Sequence, residues 1–319
     1  MSWILGFALL LAFPLAAAGY SSYRRDIAAA RARALSDSRI LCTRSGPIEF
    51  AAVGEGSPAL VLHGTSGGWD QGVGSARGLI RHGFKLIAPS RFGYLRTALP
   101  PDASPEAEAD TWADLLDALH IERVPVIAFS AGAAPAVQLA LRHPGRVSAL
   151  VLIVPGAGGM CAARAVAPPR FVLDALYRFN LPMWLVMRIA PRIMHLLVAV
   201  PSSVIQALPA DEKARLDEAI DLILPVSRRR LGVLNEGNTQ GSGQEYLLTQ
   251  VIAPTLLISA ADDLYQTLPV ALHAASVIPH AKLMEFATGG HLLLGHENEV
   301  WPAVASFLHP AREQTHTAA

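Results

Sequence analysis

Short apolar runs alternate with stretches of helical periodicity along most of the 319-residue chain. Several of these runs are nearly continuous Val, Ile and Leu, which is typical of strands covered on both faces in a mostly parallel sheet. The predicted strands are residues 40–43, 48–53, 59–63, 85–89, 124–129, 149–154, 255–259 and 283–286. The predicted helices among them are residues 76–82, 106–120, 131–143, 268–276 and 297–308. This alternation predicts an α/β fold, with a mostly parallel eight-stranded sheet and helices on both faces.

One long stretch interrupts the alternation. Between residues 159 and 250 no strand pattern is visible, and the sequence indicates helices separated by Pro and Gly. We predict a helical cap at residues 160–250, inserted after the sixth strand and laid over a core of residues 38–159 and 251–309. Residues 310–319 are predicted to form a disordered tail.

The chain begins with an apolar run at residues 3–19, which is about the minimum length that crosses a bilayer. No Lys or Arg precedes this run, whereas Arg24 and Arg25 follow it, and this distribution favours a retained membrane anchor with the globular part on the cytoplasmic side. We therefore predict an anchor at residues 1–20 and a polar stalk at residues 21–37. The alternative is a signal peptide that is cleaved after its small residues, which would export the protein.

Composition and charge exclude several classes of partner. Lys and Arg together number 26, as do Asp and Glu, so the formal net charge is zero. The short basic run at residues 228–230 is interpreted as a solvated helix face, and no nucleic-acid partner is expected. Cys42 and Cys161 provide neither a metal cage nor a disulfide framework, and we interpret them as two independent buried thiols, with a disulfide between them in an oxidising compartment as the alternative. No metal or cofactor is expected, and the sequence does not indicate an oligomeric state.

Ser130 lies where a predicted strand runs directly into a helix rich in small residues. Ala128 and Gly132 flank it at two residues on either side, which leaves room for a sharp turn that lifts the serine oxygen clear of the sheet. The free N–H groups at the start of the following helix favour developing negative charge. The alternative interpretation is an ordinary serine N-cap.

A glycine-rich loop follows the third strand, with the sequence His-Gly-Thr-Ser-Gly-Gly at residues 63–68. Such a loop can direct a backbone N–H at a substrate carbonyl, so the N–H groups of Thr65 and Ala131 are candidates for an oxyanion hole. A phosphate-binding loop is the alternative, but its Gly-Lys-Ser/Thr ending is absent. His63 precedes the serine in the chain, and we interpret it as a structural residue.

An acid and a histidine follow the ends of the last two predicted strands. Asp263 and His291 come after Ser130 in the order expected for a Ser–Asp–His constellation, at the same edge of the sheet. His291 would accept the serine proton, and an ionised Asp263 would stabilise the resulting imidazolium. The neighbouring Asp262 is the alternative acid, although a turn or helix-capping role is favoured for it.

Taken together, these motifs make the chain resemble the α/β-hydrolase superfamily over residues 38–308. The matching segments are residues 63–68, 88–94, 128–132, 259–263 and 289–291. The resemblance implies a serine hydrolase whose helical cap lies between the sixth and seventh strands. Ala128 and Ala260 replace glycines that are usual in the family, and Ser90 and Phe92 depart from the usual loop after the fourth strand.

These features predict a carboxylic-ester hydrolase that acts through an acyl-enzyme on a small, hydrophobic or lipid-like substrate. Ser66, Phe129 and Trp184 are expected to contact that substrate. Carbon–carbon bond hydrolysis, lactone hydrolysis and perhydrolysis use the same three residues, so they remain alternatives. A non-catalytic binding protein with this fold is the alternative outside enzymes.

Overall fold

The computed structural model describes residues 2–160, 169–239 and 245–309. Its eight strands form one sheet in the order β1-β2-β4-β3-β5-β6-β7-β8. The strands are β1 (Ser38–Thr43), β2 (Gly46–Val53), β3 (Ser57–Leu62), β4 (Phe84–Pro89), β5 (Val124–Phe129), β6 (Val147–Ile153), β7 (Thr255–Ala260) and β8 (Lys282–Phe286). All eight predicted strands are therefore observed.

The sheet is antiparallel only at the edge where the first strands lie. β1 pairs antiparallel with β2, and β2 pairs antiparallel with β4, whereas every other neighbouring pair is parallel. The predicted mostly parallel sheet is confirmed. Cys42 is exposed on edge strand β1, so the prediction of a buried thiol is wrong for this residue. Cys161 lies outside the described residues.

Twelve helices are found in the described ranges. They are α1 (Ser2–Ser36), α2 (Trp69–Ala76), α3 (Pro105–Ala118), α4 (Ala133–Arg142), α5 (Arg170–Arg178), α6 (Asn180–Ile189), α7 (Pro191–Leu197), α8 (Ser202–Ala207), α9 (Ala210–Asp221), α10 (Arg230–Thr239), α11 (Thr267–Val277) and α12 (Glu297–Leu308). The predicted helix at residues 76–82 is mostly a 3-10 turn, Arg77–His82.

Side chains from both faces of the sheet are buried, because helices cover both. Successive residues of a strand point to opposite faces, so Leu60 and Leu62 of β3 join one core cluster and Val61 joins the other. The first cluster is completed by residues of α3, α4 and α11, and the second by residues of α2 and α12. These two cores fix the ends of the parallel strands, where the candidate site residues lie.

Between β6 and β7 the described residues form the six helices α5–α10 and no strand. Their inner side chains make a third buried cluster, which includes Met183, Met187, Met194 and Val226. The helical character predicted for this segment is therefore observed. The predicted domain limits themselves stay a prediction, and the predicted tail at residues 310–319 lies outside the described residues.

The stretch predicted as a polar stalk, residues 21–37, includes the second half of α1, and that half packs against the cap. Ile27 and Ala30 of α1 are buried in the cluster of the cap helices, because their spacing places them on one helix face. Arg33 donates to the backbone carbonyls of Asp221 and Leu224, at 2.8 and 3.0 Å. This part of α1 is thus held by packing and by hydrogen bonds.

The prediction of a membrane anchor at residues 1–20 is not supported. Most of the side chains on which it depends lie outside the described part of the chain. Within the described part, no helix combines the length and the hydropathy needed to cross a membrane.

A buried ion pair connects the segment between β6 and β7 to the core. Arg229 precedes α10 and is fully buried, and its guanidinium lies 2.7 Å from a carboxylate oxygen of Asp70 in α2. It also donates to the carbonyl oxygen of Gly67, in the glycine-rich loop. The interpretation of residues 228–230 as a solvated helix face is therefore wrong for Arg229. The sequence could not indicate its burial, because the ion-pair partner lies 159 positions away.

Replacing Arg229 with methionine tests the importance of this connection. Arg229→Met leaves the Asp70 carboxylate buried without its partner, so we expect a loss of about 3–5 kcal/mol in the free energy of unfolding, measured by urea titration. The matched control is Arg77→Met, because the Arg77–Glu218 pair is exposed on both sides. The control is expected to cost less than about 1 kcal/mol, and equal losses would contradict the role of burial.

Candidate active site

Ser130 follows β5 directly and begins the 3-10 turn Ser130–Gly132, which leads into α4. Its backbone φ is +49°, in the left-handed region that side-chain-bearing residues rarely adopt. Such an angle persists only where the surrounding structure imposes it, and it is frequent at functional sites. The sharp turn predicted at Ser130 is therefore observed.

Two glycines permit the turn because they let backbone segments approach closely. A Cβ atom at Gly132 would lie 2.7 Å from the carbonyl oxygens of both Leu62 and His63, which is too close for any side chain. A Cβ atom at Gly64 would lie 3.1 Å from the Cβ of Ser130. The glycine-rich loop after β3 and the serine turn after β5 are thus in contact.

Gln71 and His63 hold the glycine-rich loop. The Gly64 N–H donates to the side-chain oxygen of Gln71 at 3.1 Å, and the Gln71 amide lies 3.5 Å from the carbonyl oxygen of Thr65. His63 is fully buried, its Nδ1 donates to the Gly64 carbonyl at 2.7 Å, and its Nε2 accepts from the Arg91 N–H at 3.0 Å. Burial, together with the positive charge of Arg91, holds the pKa of His63 well below its usual range. His63 therefore has the structural environment that was predicted.

Asp263 and His291 form a hydrogen-bonded pair at the carboxyl ends of β7 and β8. Nδ1 of His291 lies 2.8 Å from a carboxylate oxygen of Asp263. The Asp263 carboxylate also accepts from the backbone N–H of Tyr265 at 2.9 Å and from the Thr267 hydroxyl. The Asp263 side chain is fully buried, whereas that of His291 is 10% exposed. Only His291 of this pair reaches a space that a ligand could enter.

The environment of Asp263 favours its ionised form. Burial alone would raise the pKa of this carboxyl, but the hydrogen bonds and charge of His291, with the hydrogen bonds of Thr267 and Tyr265, outweigh it and lower the pKa. An ionised carboxylate accepts the Nδ1–H of His291, which leaves Nε2 of that ring free to accept a proton.

Asp262 has a different set of contacts. It accepts from the backbone N–H groups of Gly289 and Gly290, at 3.3 and 2.8 Å, and so supports the turn that carries His291. The structure thus brings Asp263 rather than Asp262 against the imidazole, as the sequence favoured.

Ser130 and His291 both line one cavity of about 860 Å³ between the sheet and the cap helices. Thr65, a candidate oxyanion donor, lines it as well, as do Ser66 and Phe129, two of the predicted contact residues. Ala131 does not: it is buried and lines a much smaller neighbouring cavity with Gly158 and Tyr246.

Trp184 does not reach the cavity either. Its indole N–H donates to Asp26 of α1 at 2.8 Å, and its ring packs against Tyr23, with ring centroids 5.6 Å apart. The predicted contact between Trp184 and substrate is therefore not supported, since this side chain joins the cap to α1.

The walls of the cavity are mainly apolar, and both the core and the cap contribute to this surface. The apolar cap residues that line it are Leu173, Leu176, Met183, Met194, Leu197, Val198, Leu222, Ile223 and Val233. Arg215 is the only Arg or Lys among the described lining residues, and it is occupied by Glu212 at 3.1 Å and Glu297 at 3.7 Å.

Tyr177 and Tyr265 line the cavity but are absent from the sequence predictions. The hydroxyl of Tyr177 in α5 shares a hydrogen bond with Ser66, so the cap contacts the glycine-rich loop. Tyr265 packs edge-on against the His291 ring, with centroids 4.9 Å apart, and donates to the Leu197 carbonyl at 2.6 Å. Neither tyrosine lies in a motif, so no local signal in the sequence indicates these contacts. In the described part of the chain, no group of His, Cys, Asp and Glu residues could hold a metal ion.

Comparison with known proteins agrees with this architecture. The family model for the alpha/beta hydrolase fold matches residues 58–185. A solved structure, an alpha/beta hydrolase fold protein from Nakamurella multipartita, superposes with a TM-score of 0.69 at 25% identity, covering 85% of this chain and 99% of that one. The chain has the α/β-hydrolase fold that the sequence motifs predicted.

Two curated sequences are similar to this chain over different lengths. The uncharacterized hydrolase YcgS from Bacillus subtilis is 38% identical over 107 residues, which are 34% of this chain and only 37% of that protein. A 2-hydroxy-6-oxononadienedioate/2-hydroxy-6-oxononatrienedioate hydrolase from Paraburkholderia xenovorans is 27% identical over 76% of this chain and 84% of its own length. Both of these similar proteins are named as hydrolases.

Proposed function

We propose that the protein is a serine hydrolase that cleaves a carboxylic ester with a hydrophobic acyl group through an acyl-enzyme. The observation that carries the proposal is the joint presence, on one apolar cavity, of a serine at a strained turn and a histidine paired with a buried aspartate. The order Ser130, Asp263, His291 along the chain is that of the superfamily.

In the first half of the proposed reaction, Ser130 Oγ attacks the acyl carbon while Nε2 of His291 takes its proton. The carbonyl oxygen becomes an oxyanion, which the backbone N–H groups of Thr65 and Ala131 stabilise. Asp263 remains ionised, holds the imidazole by its Nδ1–H and stabilises the imidazolium. His291 then donates the proton to the leaving alcohol as the carbon–oxygen bond breaks, and the acyl group stays on Ser130.

In the second half, water replaces the alcohol. His291 takes a proton from the water, whose oxygen attacks the acyl carbon, and a second oxyanion forms. Collapse of this intermediate returns the proton to Ser130 Oγ and releases the carboxylic acid. Atoms and charges balance without any cofactor.

The lining of the cavity supports an uncharged, apolar substrate. Leucine, methionine and valine side chains of the cap line it together with apolar residues of the core, and Arg215 is already occupied by two carboxylates. A substrate carboxylate placed here would lose its hydration without gaining an unoccupied Arg or Lys among the described lining residues. A lipid-like ester meets no such penalty.

Carbon–carbon bond hydrolysis is the second candidate, and the named relatives favour it. The proteins from Paraburkholderia xenovorans and Cupriavidus pinatubonensis are both named as hydrolases of 2-hydroxy-6-oxononadienedioate, a ketone with two carboxylates. The same serine chemistry would cleave the bond beside the ketone. Lactone hydrolysis and perhydrolysis also stay possible uses of these residues, as does a non-catalytic binding role.

Labelling with a fluorophosphonate tests the nucleophile. Because Ser130 is the group expected to react, the wild type should be labelled and Ser130→Ala should not, as read by intact mass. We also expect Ser130→Ala to lower the hydrolysis of a p-nitrophenyl ester on the order of 10⁵–10⁶-fold. Ser75→Ala is the matched control, because Ser75 lines the same cavity. Equal labelling of Ser130→Ala and the wild type would disprove the assignment, and a wild type that is never labelled would favour the binding role.

The two neighbouring acids are distinguished by their amide variants. Asp263→Asn cannot accept the Nδ1–H of His291 as a carboxylate does, so kcat should fall about 10³–10⁴-fold. Asp262→Asn keeps one oxygen that can accept from Gly289 and Gly290, and kcat should fall less than about tenfold. Steady-state kinetics on p-nitrophenyl butyrate measures both effects, and the reverse order of losses would exchange the two roles.

A series of acyl chains tests the substrate class. From acetate to hexanoate, each methylene that enters the apolar cavity should raise kcat/KM of the p-nitrophenyl ester about fourfold, since burying a methylene contributes about 0.8 kcal/mol. The monoester of glutaric acid has a similar length but ends in a carboxylate, and its kcat/KM should be lower on the order of 100-fold than that of the pentanoate ester. A preference for the glutarate ester would instead favour the dicarboxylate ketones of the relatives.

A further inference from the structure

The outer surface of two cap helices is apolar where solvent would favour polar side chains. In α6, Leu181, Leu185 and Ile189 are spaced four residues apart and are 39%, 39% and 76% exposed. In α7, Ile193 and Leu196 are 49% and 60% exposed. We call these five side chains the cap face.

Packing of the cap does not account for this face. The same helices bury a separate set of side chains, Met183, Met187 and Met194, in the third core cluster. A helix that packs on one side and faces water on the other normally carries polar residues on its outer side. A contiguous exposed apolar surface is typical of a site that binds a partner or a membrane.

The charge around the cap face is strongly one-sided. Residues 170–199 contain four arginines and no lysine, but only one acidic residue, Asp174. Arg188 and Arg192 lie in the helices that carry the face, and both are exposed, although Arg188 also pairs with Asp26 of α1. The surface is therefore apolar with a cationic border, although the whole chain has no net charge.

The cap face adjoins the cavity of the candidate active site. Leu197, at the end of α7, is 41% exposed and also lines that cavity. Its carbonyl oxygen accepts from the hydroxyl of Tyr265, which is 56% exposed and lines the same cavity. A substrate that leaves an apolar phase at the cap face would thus arrive beside the cavity wall.

We propose that the cap face binds the surface of an anionic lipid bilayer, with the candidate active site next to the lipid. Apolar side chains that enter the headgroup region, bordered by arginines that attract anionic lipids, are the features of interfacial membrane binding. A second copy of the chain fits less well, because a two-fold contact would bring together two borders in which residues 170–199 carry four arginines and one acidic residue each.

The helix that carries part of the cap face also contacts α1. Arg188 of α6 pairs with Asp26 of α1 at 2.7 Å, and Trp184 of α6 packs on Tyr23 of α1. The residues of α1 that precede this contact include the apolar run 3–19 of the sequence. The cap face and this run are therefore connected through the α1–α6 contact.

The test places an environment-sensitive nitrobenzoxadiazole probe on single cysteines in the full chain, with Cys42 and Cys161 replaced by serine. Ile189→Cys carries the probe on the cap face, and Ile252→Cys carries it on a control site in the core, because Ile252 is equally exposed at 74%. With vesicles of phosphatidylglycerol and phosphatidylcholine, the probe at 189 should shift to the blue and be quenched by doxyl-labelled lipids. The probe at 252 should not respond, and neither probe should respond to phosphatidylcholine alone.

This comparison is informative even if another segment of the chain binds lipid. Equal responses at 189 and 252 would overturn the proposal, as would an equal response to neutral vesicles. A shift at 189 that depends on protein concentration without vesicles would assign the face to a second copy. Hydrolysis of a soluble p-nitrophenyl ester is measured on the same samples, so loss of lipid binding is distinguished from failure of the proposed function.

The contribution of the cationic border is tested separately. Arg192→Gln should weaken vesicle binding about fivefold at low salt, since one arginine near an anionic surface contributes about that factor. The control is Arg81→Gln, because Arg81 is exposed but follows α2, outside the cap. Equal effects of the two variants would show that only the net charge matters and would contradict a defined binding face.

Discussion

At Ser130 the chain passes from β5 into a helical turn through a backbone angle that costs a residue with a side chain about 1 kcal/mol or more. The structure maintains this angle by close backbone contacts. Gly132 lies against the carbonyl oxygens at the end of β3, and the N–H of Gly156 donates to the Ser130 carbonyl at 3.0 Å. Both neighbouring strands therefore fix the direction in which the serine oxygen points. The geometry of the site is a consequence of how three parallel strands end.

The segment between β6 and β7 is connected to both sides of this site. On one side, Arg229 binds Asp70 and the Gly67 carbonyl, so it contacts the glycine-rich loop directly. On the other side, the Ala199 carbonyl lies 3.4 Å from the N–H of Leu264 and 3.3 Å from that of His291. The segment therefore contacts both the loop that carries Thr65 and the turn that carries His291. These contacts give the cap a structural role in the site as well as a covering one.

The sequence allowed the strands and the candidate catalytic residues to be predicted, because each of these residues follows a strand in the chain. Strands appear as short runs of β-branched residues, and Ser130, Asp263 and His291 each follow such a run, so their common edge could be predicted. The contacts of Trp184 could not be predicted correctly. An apolar residue on a cap helix can face the cavity, the core or another helix, and the same periodicity is compatible with all three. Arg229 was misread for a related reason. Its ion pair joins residues that are distant in sequence, and an arginine run alone does not reveal which member is buried.

The distribution of charge separates the inside of the cap from its outside. Inside, the lining is apolar and the charge of Arg215 is balanced by Glu212 and Glu297, so electrostatics gives little attraction for an anionic substrate. Outside, Arg192 lies beside exposed leucines and isoleucines with few acids nearby. A cation on the surface affects where the protein binds, whereas a cation in the cavity would affect what it binds. Under the two proposals, the cations of the outer face would favour binding to an anionic surface, and the apolar cavity would favour an uncharged substrate.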